Sequence, residues 1–366
     1  MKNFNMKLIP TLAICAILMG CTEDVEPMIE EKDHSWIQHE DIIYGFKYLL
    51  NSRASEKDLQ LVSKSDVLTI DVANQATNYT LQVDYQDMRV ALSDDIIMRV
   101  NEDDDENGKL VFGYLPGIEK SGLDISVIGL NISDYDPAFR GFDYSRLRYS
   151  FGAYNNKYQV LIPYRGSSEF FSAILIAFQV EHDLRETSDF QHIRFSDVQL
   201  IQIPGESDVF SSSMVTYAIG DNFILSNAKF AAKVYSNGEV KMLTDFAYNP
   251  EFLFELNGEQ YAVAQDGFYV SNDDGESWQL KYSSYLASNE NYTVVDDRVI
   301  VYRGSFFAEM VFTADGFVTR SLVNEGLAGN SITSISEFND KVYVTTLSGL
   351  FYKDLADVFV EQEEEE

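Results

Sequence analysis

Cysteine, histidine and positive charge are scarce in this sequence, and each scarcity closes off a class of protein. Its two cysteines, Cys15 and Cys21, both fall within the first 21 of 366 residues, so no disulfide framework supports the body of the chain. The four histidines, His34, His39, His182 and His192, lack the helical pairing with a glutamate that marks a zinc protease, and they read as surface residues of the tether or loops. No G-x-S-x-G elbow and no glycine-rich phosphate loop occurs. Lys and Arg total 27 against 59 Asp and Glu, a formal net charge of −32. A chain this acidic repels nucleic acid and anionic membrane surfaces. The string Arg146-Leu147-Arg148-Tyr149 therefore reads as cross-strand pairing and not as a nucleic-acid site. No apolar run reaches the roughly 18 residues that a membrane-spanning helix needs. With 45% hydrophobic and 13% aromatic residues and only seven prolines, the chain does have the material for a large core.

The first 21 residues account for both cysteines. Lys2 and Lys7 precede an apolar run, Leu8 to Leu18, which ends in Leu18-Met19-Gly20-Cys21. This pattern resembles the lipobox of bacterial lipoproteins. The resemblance implies a signal peptide over residues 1–20 and lipidation of Cys21, the sole contact with a membrane. Residues 21–35 form a short acidic tether. An acidic cluster just after the lipidated cysteine resembles the export signal of Bacteroidetes-type surface lipoproteins. The implied location is the outer membrane, displayed at the surface, with the periplasmic leaflet as the alternative.

From residue 36 to about residue 360 the sequence alternates strand and polar turn. Residues 36–50 fit either a strand or a short helix, and a strand there would complete the last blade of a ring. Two-residue turns are expected at Ser65-Asp66, Asp94-Asp95, Asn155-Asn156, Gly220-Asp221, Asn257-Gly258, Asp296-Asp297 and Asn339-Asp340. The last four recur about every forty residues, the period of a four-stranded propeller blade. Earlier spacings are longer, and the polar stretches Asp134 to Asp143 and His182 to Gln191 are candidate insertions. The expected fold is an all-β propeller of six or seven blades, each sheet burying both faces against its neighbours. Residues 361–366 read as a solvated acidic tail.

Two motifs carry resemblances to propeller families. Ser271-Asn272-Asp273-Asp274-Gly275-Glu276-Ser277-Trp278 resembles the Asp box, the S-x-D-x-G-x-[ST]-W hairpin loop (BNR repeat) of sialidase-type propellers. In that loop Asp273 is expected to accept hydrogen bonds across the bend, Gly275 to take a positive φ, and Trp278 to plug the gap between sheets, with Ser271 and Ser277 completing the motif. The run Asn330-Ser331-Ile332-Thr333-Ser334-Ile335, followed by Thr346-Leu347-Ser348-Gly349-Leu350, is similar to the propeller repeat of periplasmic two-component sensors, with Tyr343 where that repeat commonly has Trp.

Catalysis is not expected. The sialidase resemblance would require an arginine triad and a Tyr–Glu pair, but the nearest string to its arginine motif, Leu161-Ile162-Pro163-Tyr164-Arg165, has the order wrong, and one Asp box stands where catalytic members carry several. No cofactor is implied. Asp103, Asp105 and Asn107 offer oxygen ligands at alternate positions before Gly108, like the start of a calcium loop, but position twelve is Tyr114 in place of a bidentate Glu. An acidic hairpin loop between Ile96–Val100 and Lys109–Tyr114 is the competing reading. Aromatics that flank the turns, Phe139, Phe142, Tyr144, Tyr154, Tyr164, Phe170, Phe171, Phe306 and Phe307, are read mainly as packing between blades. The expected role is non-catalytic binding of a glycan, peptide or envelope-protein partner through loops on one face. A scaffold subunit of an envelope complex is the alternative, and a glycan-acting hydrolase or lyase the third class.

Overall fold

A computed structural model describes residues 35–42, 49–54, 58–63, 67–79, 88–91, 96–100, 108–114, 126–142, 152–167, 169–180, 193–205, 214–286, 290–327 and 329–362. The expected signal peptide, Cys21, nearly all of the tether, the calcium candidates Asp103, Asp105 and Asn107, and the turn residues Ser65, Asp66, Asp94 and Asp95 lie outside the described residues. So do His34, His182, His192, Tyr144 and the stretch His182 to Gln191.

The described residues form seven four-stranded sheets, so the propeller expectation resolves to seven blades. Blades 1 to 6 take residues 49–79, 88–131, 153–204, 215–243, 252–283 and 291–321, and in each the strands neighbour one another in chain order. Blade 7 takes three strands from residues 332–354, and its fourth is Ile37–Gln38 from the start of the chain. Ile37 pairs with Tyr352 and Gln38 with Phe351. The stretch 36–50 is thus divided between two sheets: its start closes blade 7, and its end opens the inner strand of blade 1, Leu49–Ala54.

Turn chemistry explains the regular half of the ring. Asn257 and Gly258 take φ of 52° and 77°, Asp296 and Asp297 49° and 55°, and Asn339 and Asp340 50° and 59°. Positive φ at both positions gives the hairpin turn whose twist matches its strands, and Asn, Asp and Gly adopt it at least cost. All three join strands 1 and 2 of their blades, as Gly220-Asp221 does in blade 4. Asn155-Asn156 differs from its expected two-residue form. The turn runs to Tyr158, which takes the positive φ of 57°, because the Asn155 side chain accepts from Lys157 N (3.0 Å) and Gln159 N (3.0 Å) and shapes a longer loop. Ser65-Asp66 falls between the second and third strands of blade 1, a different position in the blade.

Among the described residues there is no single core. Six apolar clusters among the described residues each span neighbouring blades. Ile96, Met98, Leu110 and Phe112 of blade 2 meet Val160, Ile162, Ile174 and Ile176 of blade 3, for example. Blades 3 to 7 therefore bury both faces, which is why middle strands such as Asn222–Ser226 and Ala231–Val234 are almost wholly buried while an outer strand such as Gly316–Ser321 exposes Thr319, Arg320 and Ser321.

Blade 3 accounts for the second of the long early spacings, the one from Asn156 to Asp221. Its outer hairpin pairs Phe170–Val180 with Ile193–Pro204 and extends past the second strand, and Phe178 and Phe195 from that extension pack on Phe112 of blade 2. The candidate insertion at residue 134 is packed across the seam between blades 2 and 3. Ile132–Asp134 forms a 3-10 turn, and Phe139 stacks near Phe142 and Tyr164. Phe139 lies so close over Gly108 that a Cβ there would come within 2.5 Å of its ring.

Candidate functional site

The topology gives the ring two unlike faces. One carries the turns between strands 1 and 2 and between strands 3 and 4; we call it the hairpin face. The other carries the turns between strands 2 and 3 and the linkers between blades; we call it the linker face.

On the hairpin face the turns bond to one another. Lys157 pairs with Asp221 (3.2 Å), and Gln159 Nε2 donates to Ser236 O (2.8 Å). Asp296 N donates to Glu337 Oε2 (2.8 Å), and Asn339 Nδ2 to Val72 O (2.8 Å). Each of these contacts crosses from one blade to the next.

The Asp-box-like loop lies on this side, between Gly267–Ser271 and Gln279–Ser283 of blade 5. Asp273 Oδ1 accepts from Ser271 Oγ (2.8 Å) and Ser277 N (2.9 Å), and its Oδ2 accepts from Ser277 Oγ (2.6 Å). The Ser277 hydroxyl and backbone N–H hold the Asp273 carboxyl down to about 2. Gly275 has φ of 78°, and its N–H donates to Ser271 Oγ (2.9 Å). Trp278, 4% exposed, packs among Ile219, Ile224 and Leu243 of blade 4 and Leu253 and Tyr269 of blade 5. Its backbone N–H donates to Asp245 Oδ2 (3.0 Å). The loop also carries a charge pin that the sequence did not single out. Lys233 of blade 4, 1% exposed, donates to Glu276 Oε1 (2.6 Å) and Asp274 O (2.7 Å). Lys241 donates to Glu276 Oε2 (3.0 Å) and Tyr235 OH to the same oxygen (2.9 Å). Lys233 first, then Lys241, lower the Glu276 carboxyl to about 2.

The linker face presents side chains outward. Tyr135 is 41% exposed, Tyr248 53%, Tyr285 81% and Phe306 43%. Tyr135, Tyr248 and Tyr285 sit on the linkers that follow blades 2, 4 and 5, and Phe306 starts a strand just after the Arg303-Gly304-Ser305 turn of blade 6. Tyr158 is the one comparably exposed aromatic of the hairpin face among the described residues. The linker-face platforms are held from below. Gln265 Nε2 donates to Tyr285 OH (3.3 Å), while Ser284 N and Leu286 N donate to Asp266 O (3.0 Å) and Gln265 O (3.0 Å). Tyr269 OH donates to Asp266 Oδ2 (2.8 Å) and accepts from Ala247 N (3.2 Å), which fixes the linker carrying Tyr248. Lys229 and Arg303 lie exposed on turns of the same face.

Of the aromatics singled out from sequence, Phe139, Phe142, Tyr164, Phe171 and Phe307 are buried, Tyr154 and Phe170 half-buried, and Phe306 alone is exposed. Tyr164 donates to the buried Asp136 carboxylate (2.7 Å); burial first, and then that carboxylate, push its hydroxyl pKa up. Tyr135, Tyr248 and Tyr285 were missed because they stand in polar linkers away from any strand pattern. His39 differs from its expected surface position. It is buried where blade 7 meets blade 1, with Nε2 at 3.2 Å from Asn74 O and Nδ1 accepting from Asp41 N (3.3 Å).

The strands that flank Asp103, Asp105 and Asn107 pair as a hairpin, Val100 opposite Leu110. Among the described residues no three His, Cys, Asp or Glu side chains are placed to hold a metal ion. No described helix is long and apolar enough to cross a membrane.

No protein-family model and no curated protein matches the sequence. Solved structures match by fold. Virginiamycin B lyase from Staphylococcus aureus, solved as a catalytically inactive variant with quinupristin, aligns at TM-score 0.54 and 8% identity over 87% of this chain and 98% of its own. A chain of the mitotic checkpoint complex aligns at 0.53 and 8% identity, over 96% of this chain and 99% of its own. The CNH domain of AfRom2 aligns at 0.50 and 10% identity, over 84% and 94%. At such identities the likeness is one of fold.

Proposed function

We propose that this is a non-catalytic, lipid-anchored propeller of the bacterial cell envelope that binds a glycan, peptide or protein partner on its linker face. The observation that carries the binding reading is the contrast between faces. Polar turns on the hairpin face spend their hydrogen bonds on neighbouring blades, whereas Tyr135, Tyr248, Tyr285 and Phe306 extend from the linker face as apolar platforms. Tyrosines of this kind bring large contact area at low entropy cost and keep a polar tip for a partner. The anchor reading rests on Lys2, Lys7, the apolar run and Leu18-Met19-Gly20-Cys21. The matched folds include a lyase and a chain from a multiprotein complex, so fold alone argues for no activity.

The test is affinity purification of the native protein from detergent-solubilised envelopes, with mass spectrometry of proteins and glycans that accompany it. The expected result is a stoichiometric companion, lost when Tyr248, Tyr285 and Phe306 are replaced together by alanine. A companion that survives the triple substitution would refute the face assignment. Cys21→Ala tests the anchor: the expected product is unacylated and leaves the membrane fraction, and an acylated product would refute the lipobox reading.

A further inference from the structure

Both ends of the described chain grip the linker between blades 6 and 7. From one side the Trp36 backbone N–H donates to Glu325 O (2.8 Å). Lys353 Nζ donates to Val323 O (3.0 Å) and lies 5.0 Å from the centre of the Trp36 ring. Gly326, at φ 87°, is placed so that a Cβ would fall 2.3 Å from Trp36 O, so the approach needs glycine. From the other side Val323 N donates to Val360 O (2.9 Å) and Gln362 N to Ser321 O (2.9 Å), with Leu322 bridged to Glu361. Phe359 covers the Arg298 guanidinium at 3.6 Å, and that guanidinium forks onto Glu309 at 2.6 Å through both Nε and Nη2. Val358 and Leu327 are fully buried in the same apolar cluster as Trp36. Glu361 and Gln362, expected to begin a solvated tail, are therefore bonded to the edge of blade 6.

The strand that closes the ring is only two residues long. So short a pairing holds little by itself. We propose that residues 358–362 act as a strap that completes the closure. The strap fixes the linker to blade 6, and the fixed linker in turn holds Trp36 and the Ile37–Gln38 strand on blade 7. Releasing it frees the Val323 N–H and the Ser321 carbonyl, and the Glu325 carbonyl that receives Trp36 lies two residues further along the same backbone. This role is independent of what the linker face binds.

The test is amide hydrogen exchange by mass spectrometry on the full chain, comparing wild type with Phe359→Ala/Gln362→Pro. Proline at 362 removes the N–H that bonds Ser321. Exchange is expected to rise about tenfold or more in peptides covering 321–327 and 36–39, and to stay unchanged in blades 4 and 5. Unchanged exchange at 36–39 in a folded variant would overturn the proposal, as would unchanged exchange at 321–327. Gln362→Pro alone, a single exposed substitution, carries the same two readouts should the double variant fail to fold.

Discussion

The seam between blades 4 and 5 and the seam between blades 7 and 1 are fastened by different chemistry. At the first, one loop supplies both the plug, Trp278, and the acid, Glu276, that neutralises the buried Lys233. At the second, the fastening is spread over several groups: His39 at Asn74 O, Tyr343 OH on Asn74 Oδ1 (2.9 Å), and Asn339 Nδ2 on Val72 O, above a core of Ile42, Leu59, Leu61, Phe338 and Leu350. The first seam joins consecutive blades, so a local loop can close it. The second joins the two ends of the chain and bears the closure entropy of the whole ring. Concentrated fastening should fail at one residue, and distributed fastening should fail by degrees.

The comparison breaks most visibly at Trp278. Trp278→Ala should cost roughly 3–5 kcal/mol through the cavity left between two sheets, read as a fall in denaturant midpoint, while partner binding survives in the folded fraction. A wild-type melting temperature would show that the plug is idle. Next comes Glu276→Gln. Removing the carboxylate leaves the Lys233 ammonium buried on weaker acceptors; because Glu276 is itself partly exposed, the expected loss is about 1–2 kcal/mol.

That pair also predicts a pH dependence. The Glu276 carboxyl falls from 4.5 to about 2 and that of Asp273 from 3.8 to about 2 on folding, so their contribution is full above about pH 4.5 and is lost as pH falls toward 2. Acid titration of stability should be shallower in Glu276→Gln than in wild type, and equal slopes would show that the pin contributes nothing.

At the closing seam, Tyr343→Phe should cost only about 1 kcal/mol, the worth of one hydrogen bond, because the ring still fills its place. Its hydroxyl, raised to about 12 by burial first and by nearby Tyr352, Asp354 and Asp71, is neutral throughout the physiological range, so this loss should not vary with pH there. A loss as large as that of Trp278→Ala would erase the distinction between the seams. Smallest of all, Tyr285→Ala should change stability by less than about 0.5 kcal/mol, since the ring is largely in solvent, yet weaken partner binding severalfold. Calorimetry and a pull-down on the same preparation separate the two effects.

Much of the ring was legible in the sequence because propellers repeat locally. Asn257-Gly258, Asp296-Asp297 and Asn339-Asp340 announce their turns through residues that tolerate positive φ, and their spacing gives the blade period. Blade 3 hid its period behind the long pairing of Phe170–Val180 with Ile193–Pro204, whose far end packs on Phe112 of blade 2, a contact that no turn signal announces. Long-range fastening was illegible for a related reason. Lys233 and Glu276 stand 43 positions apart, and Tyr343 and Asn74 stand 269 apart, and no periodicity links such partners. His39 looked like a tether residue because its partners come from blades 1 and 7. Tyr135, Tyr248 and Tyr285 left no trace in strand patterning, since exposed linkers obey no period.

The most direct test of the account is site-specific photocrosslinking in envelopes, with the probe at position 285 on the linker face and, separately, at position 297 on the hairpin face. The account predicts a discrete crosslinked partner at 285 and none at 297. A partner captured at 297 and absent at 285 would contradict it.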